Sequence, residues 1–300
     1  MSAGREKNNM VRKPTKTLMV KEPGELMTFL IANLPGKNRN NIKTLMKDKH
    51  ITVNGEVQTH AKHPLLAGQK VEVHWVPVPR AKQLHDITII HEDEHIIVID
   101  KHAGVLSVAT DKEKRDTAYS ILSAHVKQQH YQNKIFIVHR LDRDTSGLMV
   151  YARTEQAKRV LQQTWNESVK ERSYLAIVER PVEKDKGTIK SYLKETSALI
   201  VYSSQNPEHG QLSITHYEVL QRTPRYSMLK VDLETGRKNQ VRVHMKDIEH
   251  PIVGDKKYGA KTDPIARLGL HAYILAFKHP ITGEDLRFET PKPRKFLRLF

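Results

Sequence analysis

The chain has 300 residues, enough for one large domain or two unequal ones, and 38% of them are apolar, enough to build a core. It has no cysteine, which excludes disulfides and thiolate metal sites, and no apolar run of the roughly 18 residues that a membrane-spanning helix needs. The net charge of +16 favours a polyanionic partner such as nucleic acid, and half of this charge lies in residues 1–80. The polar, basic N-terminus is unlike a signal peptide, so we expect a cytoplasmic protein without membrane contact.

The first 80 residues predict a small module behind a disordered basic arm, residues 1–16. Apolar residues at helical spacing predict one helix that ends at Pro35-Gly36 and a second over 38–49. Residues 51–57, with the turn Asn54-Gly55, predict a hairpin, and alternation over 71–75 predicts a closing strand. Three basic residues four apart predict a basic ridge on the second helix: Arg39, Lys43 and Lys47.

Two helices with a basic ridge, followed by a short hairpin that contains Val53-Asn54-Gly55, resemble the S4 RNA-binding module. This resemblance implies that residues 17–76 form an S4-like α/β module that contacts RNA through the ridge. Two prolines and a short basic run then predict a linker over 77–85.

From residue 86 onward the pattern becomes rich in strands. Helices are predicted over 117–127 and over 154–170, with Thr154 as the N-cap of the second. Neighbouring strands with few helices between them predict an α+β domain over 86–300, with a largely antiparallel mixed sheet flanked by helices. The predicted strands are 87–90, 96–99, 134–138, 148–152, 174–178, 213–220, 226–233 and 240–245.

The segment His91-Glu92-Asp93-Glu94-His95 has the letters of the H-E-x-x-H zinc motif. That motif needs both histidines on one face of a helix, so that two imidazoles converge on the metal. Here β-branched runs flank the segment and predict a hairpin turn, so we expect no metal site. The glycine-rich motifs that cradle phosphates are also absent from the sequence, which leaves a nucleotide cofactor without support.

The segment most suggestive of chemistry runs from Ile137 to Leu148, where a polar loop with Asp142 and Asp144 follows an apolar strand. Loops after strands are places where a rigid scaffold presents reactive groups. An ordinary turn that caps its own backbone amides is the alternative. The residues alone do not decide between the two aspartates.

The stretch His139-Arg140-Leu141-Asp142-Arg143-Asp144-Thr145-Ser146-Gly147-Leu148 resembles the signature of the RluA-type pseudouridine synthases. Further stretches resemble motifs of that family in the same order: 170–176, 235–245 with 250–255, and 267–272 with 279–284. The resemblance implies the pseudouridine synthase fold and isomerisation of uridine in structured RNA without a cofactor. Ribosomal RNA is the expected substrate and transfer RNA the alternative.

The resemblance also implies roles for individual residues. Asp142 would be the catalytic carboxylate, Tyr174 an active-site aromatic residue and Arg242 the partner of Asp142, on a strand. Because burial raises the pKa of a carboxylate and a facing arginine lowers it, this salt bridge is expected to be a condition of activity. Arg140 would help to turn the base out of the RNA, and phosphate contacts are expected from Arg143, Arg237 and Lys238.

A non-catalytic RNA-binding or folding factor would share the basic charge, and it is the main alternative to an enzyme. Such a protein would have no need of the trio Asp142, Tyr174 and Arg242. We expect the protein to act as a monomer.

Overall fold

The computed structural model describes residues 16–74, 84, 86–110 and 116–300. The basic arm predicted at 1–16 lies outside the described residues apart from Lys16, and so does the linker predicted at 77–85 apart from Leu84. The chain divides into two compact units. The described parts of 16–83 and 124–133 belong to the first unit, and those of 84–123 and 134–300 to the second.

Residues 16–74 of the first unit form two short helices and two small antiparallel sheets. One sheet has the strand order β1-β6-β3-β4, and the other is the pair β2-β5. The elements are β1 (Lys16–Met19), β2 (Gly24–Glu25), α1 (Leu26–Asn33), α2 (Arg39–Lys47), β3 (Ile51–Val53), β4 (Glu56–Val57), β5 (Pro64–Leu65) and β6 (Lys70–Val73). The two predicted helices, the hairpin and the closing strand are therefore all present, and Asn54 and Gly55 turn the hairpin with φ of 50° and 85°.

Helix α2 begins where Asn38 caps it. The Asn38 side chain accepts a hydrogen bond from the Asn41 backbone (2.9 Å), and the Asn41 side chain accepts one from the Asn38 backbone (3.2 Å). Ile42 and Met46, four residues apart, are buried in the core of the unit. The predicted ridge consequently lies on the exposed face: Arg39, Lys43 and Lys47.

The second unit is built on an eleven-stranded sheet. The main path runs β13-β12-β14-β15-β11-β16-β10-β8-β7, with β17 paired to β16 and β9 paired to β10. The strands are β7 (Ile87–Glu92), β8 (Ile96–Lys101), β9 (Phe136–Ile137), β10 (Ser146–Ala152), β11 (Val169–Glu179), β12 (Lys186–Glu195), β13 (Val201–Ser204), β14 (Gln211–Arg222), β15 (Tyr226–Leu233), β16 (Leu270–Lys278) and β17 (Asp285–Glu289).

Among the described strands of this sheet, β10 and β16 form the one parallel pair. Gly147 makes this pairing possible, since a Cβ at that position would lie 2.1 Å from the carbonyl oxygen of Ala272. Its φ of +115° is also a conformation that other residues rarely adopt. The loop that precedes Gly147 is thereby fixed at the junction of β10 and β16.

Helices cover parts of both sheet faces. Leu161 of α4 packs on Leu148 and Val150, while Val241 and Met245 of α6 pack on Ala176. Phe296 of α7 packs on the residues that flank Ala176 along β11, and these face the opposite side. The helices of this unit are α4 (Glu155–Gln163), α5 (Trp165–Ser168), α6 (Gln240–Asp247) and α7 (Arg294–Leu297), and α3 (Ala118–Gln129) begins in this unit and ends in residues assigned to the first. The predicted α+β class with a largely antiparallel sheet is confirmed. None of the helices in the described ranges has the length and apolar character needed to cross a bilayer.

Two predicted elements of the second unit were wrong in type or extent. Thr154 does cap α4, accepting a hydrogen bond from Ala157, but the helix predicted to 170 gives way at Val169 to a strand that pairs with β16. The strand predicted over 240–245 is helix α6. Its alternation of apolar and polar residues is misleading because His244 does not face solvent. The His244 side chain is fully buried and forms hydrogen bonds with Ser191 and Thr215.

Candidate active site

A cleft in the second unit collects side chains from several parts of the chain. Most come from the loop between β9 and β10 and from residues 236–242, which span the loop before α6 and its first turn. Strands β11, β15 and β16 contribute Tyr174, Leu233 and Leu270. The cleft is lined by all three residues proposed as catalytic and by three of those proposed to contact RNA: Asp142, Tyr174, Arg242, Arg140, Arg237 and Lys238. Arg143 is not part of this lining. The ridge residues Arg39, Lys43 and Lys47 belong to the first unit.

The loop between β9 and β10 starts at a fixed histidine. The Nε2 atom of His139 accepts a hydrogen bond from the Val150 backbone (3.1 Å), and the imidazole ring lies 4.7 Å from the ring of Trp165. Burial lowers the pKa of His139 to about 3, and the charge of Arg172 adds to this effect. His139 is therefore neutral near pH 7 and holds the loop in place.

The next residues of the loop are anchored through buried polar contacts. Ser107 both donates to the carbonyl of Leu141 (2.6 Å) and accepts from its amide (3.1 Å). Lys101, which is fully buried, donates to the carbonyls of Val105 (2.7 Å) and Arg143 (3.0 Å). Burial lowers the pKa of Lys101 to about 8. These contacts hold the backbone on both sides of Asp142.

The two aspartates of the loop have different surroundings. Asp142 faces the cleft with 30% of its side chain exposed, and its Oδ2 lies 3.3 Å from Nη1 of Arg242. Asp144 is 47% exposed and accepts a hydrogen bond from Nε of its neighbour Arg143 (3.0 Å). Of the residues that line the cleft, Asp142 is the only carboxylate.

Arg242 projects from the first turn of α6 and is held mainly by Asp255. Its Nε and Nη2 each donate to one Asp255 oxygen at 2.7 Å, while Nη1 reaches Asp142 and the Oδ1 of Asn239 (3.2 Å). The guanidinium also lies 4.9 Å from the ring centre of Tyr258. Burial acts against the charge of Arg242, but the hydrogen bonds and charge of Asp255 outweigh it and raise the pKa of Arg242. Arg242 is thus a permanent, oriented cation beside Asp142.

Sequence reasoning missed Asp255, whose side chain is only 1% exposed. The stretch that contains it was matched as a motif, but no role was assigned to the aspartate. Thirteen residues separate it from Arg242, and only the fold shows that the two side chains meet.

Tyr174 forms another wall of the cleft. It lies on β11, opposite Val231 of β15, and packs with the apolar residues beneath α6. Burial raises the pKa of Tyr174 to about 12, Arg172 opposes this, and Asp142 adds to it. The hydroxyl therefore stays protonated near neutral pH, and the half-buried ring offers an aromatic face to the cleft.

A buried hydrogen-bond network that the sequence did not predict shapes the loop before α6. The side-chain oxygen of Gln240 accepts from the Thr235 hydroxyl (2.8 Å) and from the Arg237 backbone (2.9 Å). Its amide nitrogen donates to Thr215 (2.9 Å), which in turn contacts His244 (2.8 Å). The loop that carries Arg237 and Lys238 is therefore fixed from inside the protein.

The predicted hairpin at the H-E-x-x-H letters is confirmed, since β7 and β8 are antiparallel neighbours. Asp93 closes the turn by accepting from the backbones of His95 (2.7 Å) and Ile96 (2.8 Å), and its other oxygen contacts His91 (2.7 Å). Within the described ranges, no three histidine or carboxylate side chains are grouped closely enough to hold a metal ion.

Comparison with known proteins identifies the family of this chain. The family model for RNA pseudouridylate synthase matches residues 95–247. An uncharacterized RNA pseudouridine synthase of Bacillus subtilis, YlyB, is 33% identical over 284 residues, covering 90% of this chain and 91% of its own. The ribosomal large subunit pseudouridine synthase D of Pseudomonas aeruginosa is 33% identical over 304 residues, which cover 92% of this chain and 91% of the relative.

Among solved structures, the human RNA pseudouridylate synthase domain containing 4 superimposes with a TM-score of 0.57 and 23% identity. The superposition covers 70% of this chain and 90% of the human protein's chain. This likeness shows a shared fold. The family match and the sequence similarity over nearly the whole length of these relatives show the family as well as the fold. This chain belongs to the RNA pseudouridylate synthase family and is an enzyme that converts uridine in RNA to pseudouridine.

Proposed function

We propose that the protein isomerises uridines of large-subunit ribosomal RNA, with Asp142 as the catalytic carboxylate. Relatives in Pseudomonas aeruginosa and Neisseria meningitidis that are 32–33% identical carry the name ribosomal large subunit pseudouridine synthase D. The observation that supports the role of Asp142 is its position as the one carboxylate lining the cleft, 3.3 Å from an oriented arginine. A non-catalytic RNA-binding factor is not supported, because the chain belongs to a family of enzymes.

The reaction breaks the bond between N1 of uracil and C1′ of ribose, turns the base and forms a bond between C5 and C1′. The proton lost from C5 is balanced by the proton gained at N1, so the product is an isomer. An ionised Asp142 would start the reaction, either by attack on C1′ or by removal of a sugar proton. Arg242 suits this step because its guanidinium lies 3.3 Å from the Asp142 carboxylate and can orient it toward the sugar.

The target base must first leave its stack, which costs a few kcal/mol. Tyr174 offers an aromatic face to the extruded base, and the exposed Arg140 lies at the cleft to fill space or hold phosphate. Arg237 and Lys238 are proposed phosphate contacts at the same cleft, and Arg143 lies outside its lining. We propose that one chain suffices, because a single chain supplies the whole cleft, and that it acts on ribosomal RNA in the cytoplasm.

The first unit is proposed to be an S4-like module that binds the same RNA. Its support is the exposed row Arg39, Lys43 and Lys47 on α2, followed by the hairpin of β3 and β4. Three cations in a row on one helix face suit a phosphate backbone.

The test uses unmodified transcripts of large-subunit ribosomal RNA and of transfer RNA, with pseudouridine mapped after incubation. We expect Asp142→Asn to abolish pseudouridine formation while RNA still binds, and Asp144→Asn, a matched loss of charge two residues away, to retain it. Modification by Asp142→Asn would refute the role of Asp142. Modification of the transfer RNA alone would refute the proposed substrate.

A further inference from the structure

Two arginines line the active-site cleft, and a third, which the sequence did not single out, lies behind its wall; we call this arginine-bearing wall the rim. Arg140 and Arg237 line the cleft. Arg172 stands directly behind its wall, because its Nη1 would lie 2.6 Å from a Cβ on Gly236, which is itself a lining residue. A glycine at 236 therefore leaves the Arg172 guanidinium room at the cleft wall.

The position of Arg172 follows from strand β11. Residues two apart on a strand face the same side, so Arg172 projects to the same side as Tyr174. Its Nη2 donates to the carbonyls of Glu234 (2.8 Å) and Leu233 (3.4 Å), which fixes the plane of the guanidinium. Its Nη1 donates to no group in the described part of the protein. One side of the guanidinium is thus anchored, and the other is available.

The charge at this rim is not balanced by carboxylates. Arg140, Arg172 and Arg237 form no ion pair within the described residues. Five other arginines of the same unit do have carboxylate partners: Arg143 with Asp144, Arg153 with Glu92, Arg222 with Asp185, Arg242 with Asp255, and Arg287 with Glu171. Burying a cation without a counter-ion costs free energy, and a second positive charge nearby increases that cost. Burial lowers the pKa of Arg172, Tyr174 partly offsets this, and Arg237 lowers it further.

We propose that Arg172 and Arg237 together bind a phosphate of the RNA backbone beside the target uridine. A guanidinium offers paired N–H donors that match phosphate oxygens, and an anion at this position would balance both charges. A uridine turned into the cleft carries its flanking phosphates to the rim. Because the backbone carbonyls already orient Arg172, little side-chain freedom is lost on binding. This inference rests on the proposed function and names a contact at the same site.

The test measures the equilibrium affinity for the large-subunit transcript across a series of KCl concentrations. The readout is binding of the transcript and does not depend on pseudouridine formation. Removal of one phosphate contact lowers the slope of log affinity against log salt by about 0.7. We expect this decrease for Arg172→Gln, which keeps a donor for the two carbonyls but loses the charge. The matched control is Arg225→Gln, an exposed arginine just before β15, at the opposite end of that strand from Leu233. Its slope should equal that of the wild type.

Arg172→Lys separates phosphate binding from a merely structural role. It keeps the charge, so the slope should return to the wild-type value even if the thermal midpoint falls. An unchanged slope in Arg172→Gln, or an equal decrease in Arg225→Gln, would overturn the proposal. Failure of both Arg172 variants to fold would also overturn it, because the guanidinium would then serve the fold. Absence of pseudouridine in the transcript would overturn only the proposed substrate, since the slope is read without turnover.

Discussion

Arg242 is bound more tightly to Asp255 than to Asp142. Two hydrogen bonds of 2.7 Å join Arg242 to Asp255, against one contact of 3.3 Å to Asp142. Asp255 is buried and Asp142 is partly open to the cleft, so the first pair orients the arginine and leaves the second carboxylate accessible. This arrangement explains how Asp142 can be both neighboured by a cation and free to approach a sugar.

The first prediction concerns Asp255. Asp255→Asn replaces a charged acceptor by a neutral amide and leaves a buried guanidinium without its main partner, which costs about 3–5 kcal/mol of stability. We also expect pseudouridine formation to slow by about 100-fold, because Arg242 loses its orientation and small misplacements have effects of that size. Single-turnover kinetics and urea unfolding measure the two effects.

The control for Asp255 is Asp285→Asn, which breaks an exposed contact with Lys170 and Lys278. Its stability should change by less than about 1 kcal/mol, and its activity should not change. Full activity in Asp255→Asn would show that Arg242 needs no support from Asp255.

Tyr174 provides the second prediction. Because its pKa is raised to about 12, its hydroxyl neither gains nor loses a proton between pH 6 and 9. Tyr174→Phe keeps the aromatic face and should lower kcat/KM by less than about tenfold, with the same pH profile as the wild type. Tyr174→Leu is the matched variant that stays apolar and lacks the ring, and it should lose far more activity if the ring stacks on the base. Equal losses in both variants would assign the role to the hydroxyl.

How much the sequence could predict is shown best by the site itself. The polar loop around Asp142 was recognisable, but the preference for Asp142 over Asp144 as the catalytic residue depended on resemblance. The structure adds that Asp142 lines the cleft, whereas Asp144 pairs with Arg143. Strands such as 226–233 follow from their alternation, whereas α6 reads as a strand because His244 mimics a solvent-facing residue. Asp255 and Arg172 carry no local pattern, since their partners lie 13 and about 60 residues away and only tertiary structure brings them together.

The basic ridge on α2 gives the third prediction. Changing Arg39, Lys43 and Lys47 to Gln removes three exposed charges and should lower the salt slope of RNA binding by about 2, since each neutralised phosphate contributes about 0.7 to the slope. The helix should persist, because Ile42 and Met46 still anchor it and glutamine is a good helix former. The matched control changes three exposed lysines outside the ridge, Lys21, Lys62 and Lys184. Equal slopes for the two triple variants would mean that total charge matters and the ridge does not.

The last prediction follows from two buried histidines of the second unit. His244 contacts Ser191 (2.9 Å) and Thr215 (2.8 Å), and His271 contacts Ser146 (2.7 Å) and Thr290 (2.7 Å). Burial lowers the pKa of His244 to about 4 and that of His271 to about 3, whereas an unfolded histidine has a pKa of about 6.5.

Below pH 6.5 the unfolded chain therefore binds protons that the folded protein does not, and stability falls as the pH is lowered. The loss continues to about pH 4 for His244 and about pH 3 for His271, with a slope of up to about 1.4 kcal/mol per pH unit for each histidine. Urea unfolding at pH 7, 6 and 5 measures this slope. His271→Gln removes one titrating group, so its stability should fall less steeply with pH even though it is lower at pH 7. The exposed His209→Gln should retain the wild-type slope. If His271→Gln also retains it, the acid sensitivity belongs to other groups.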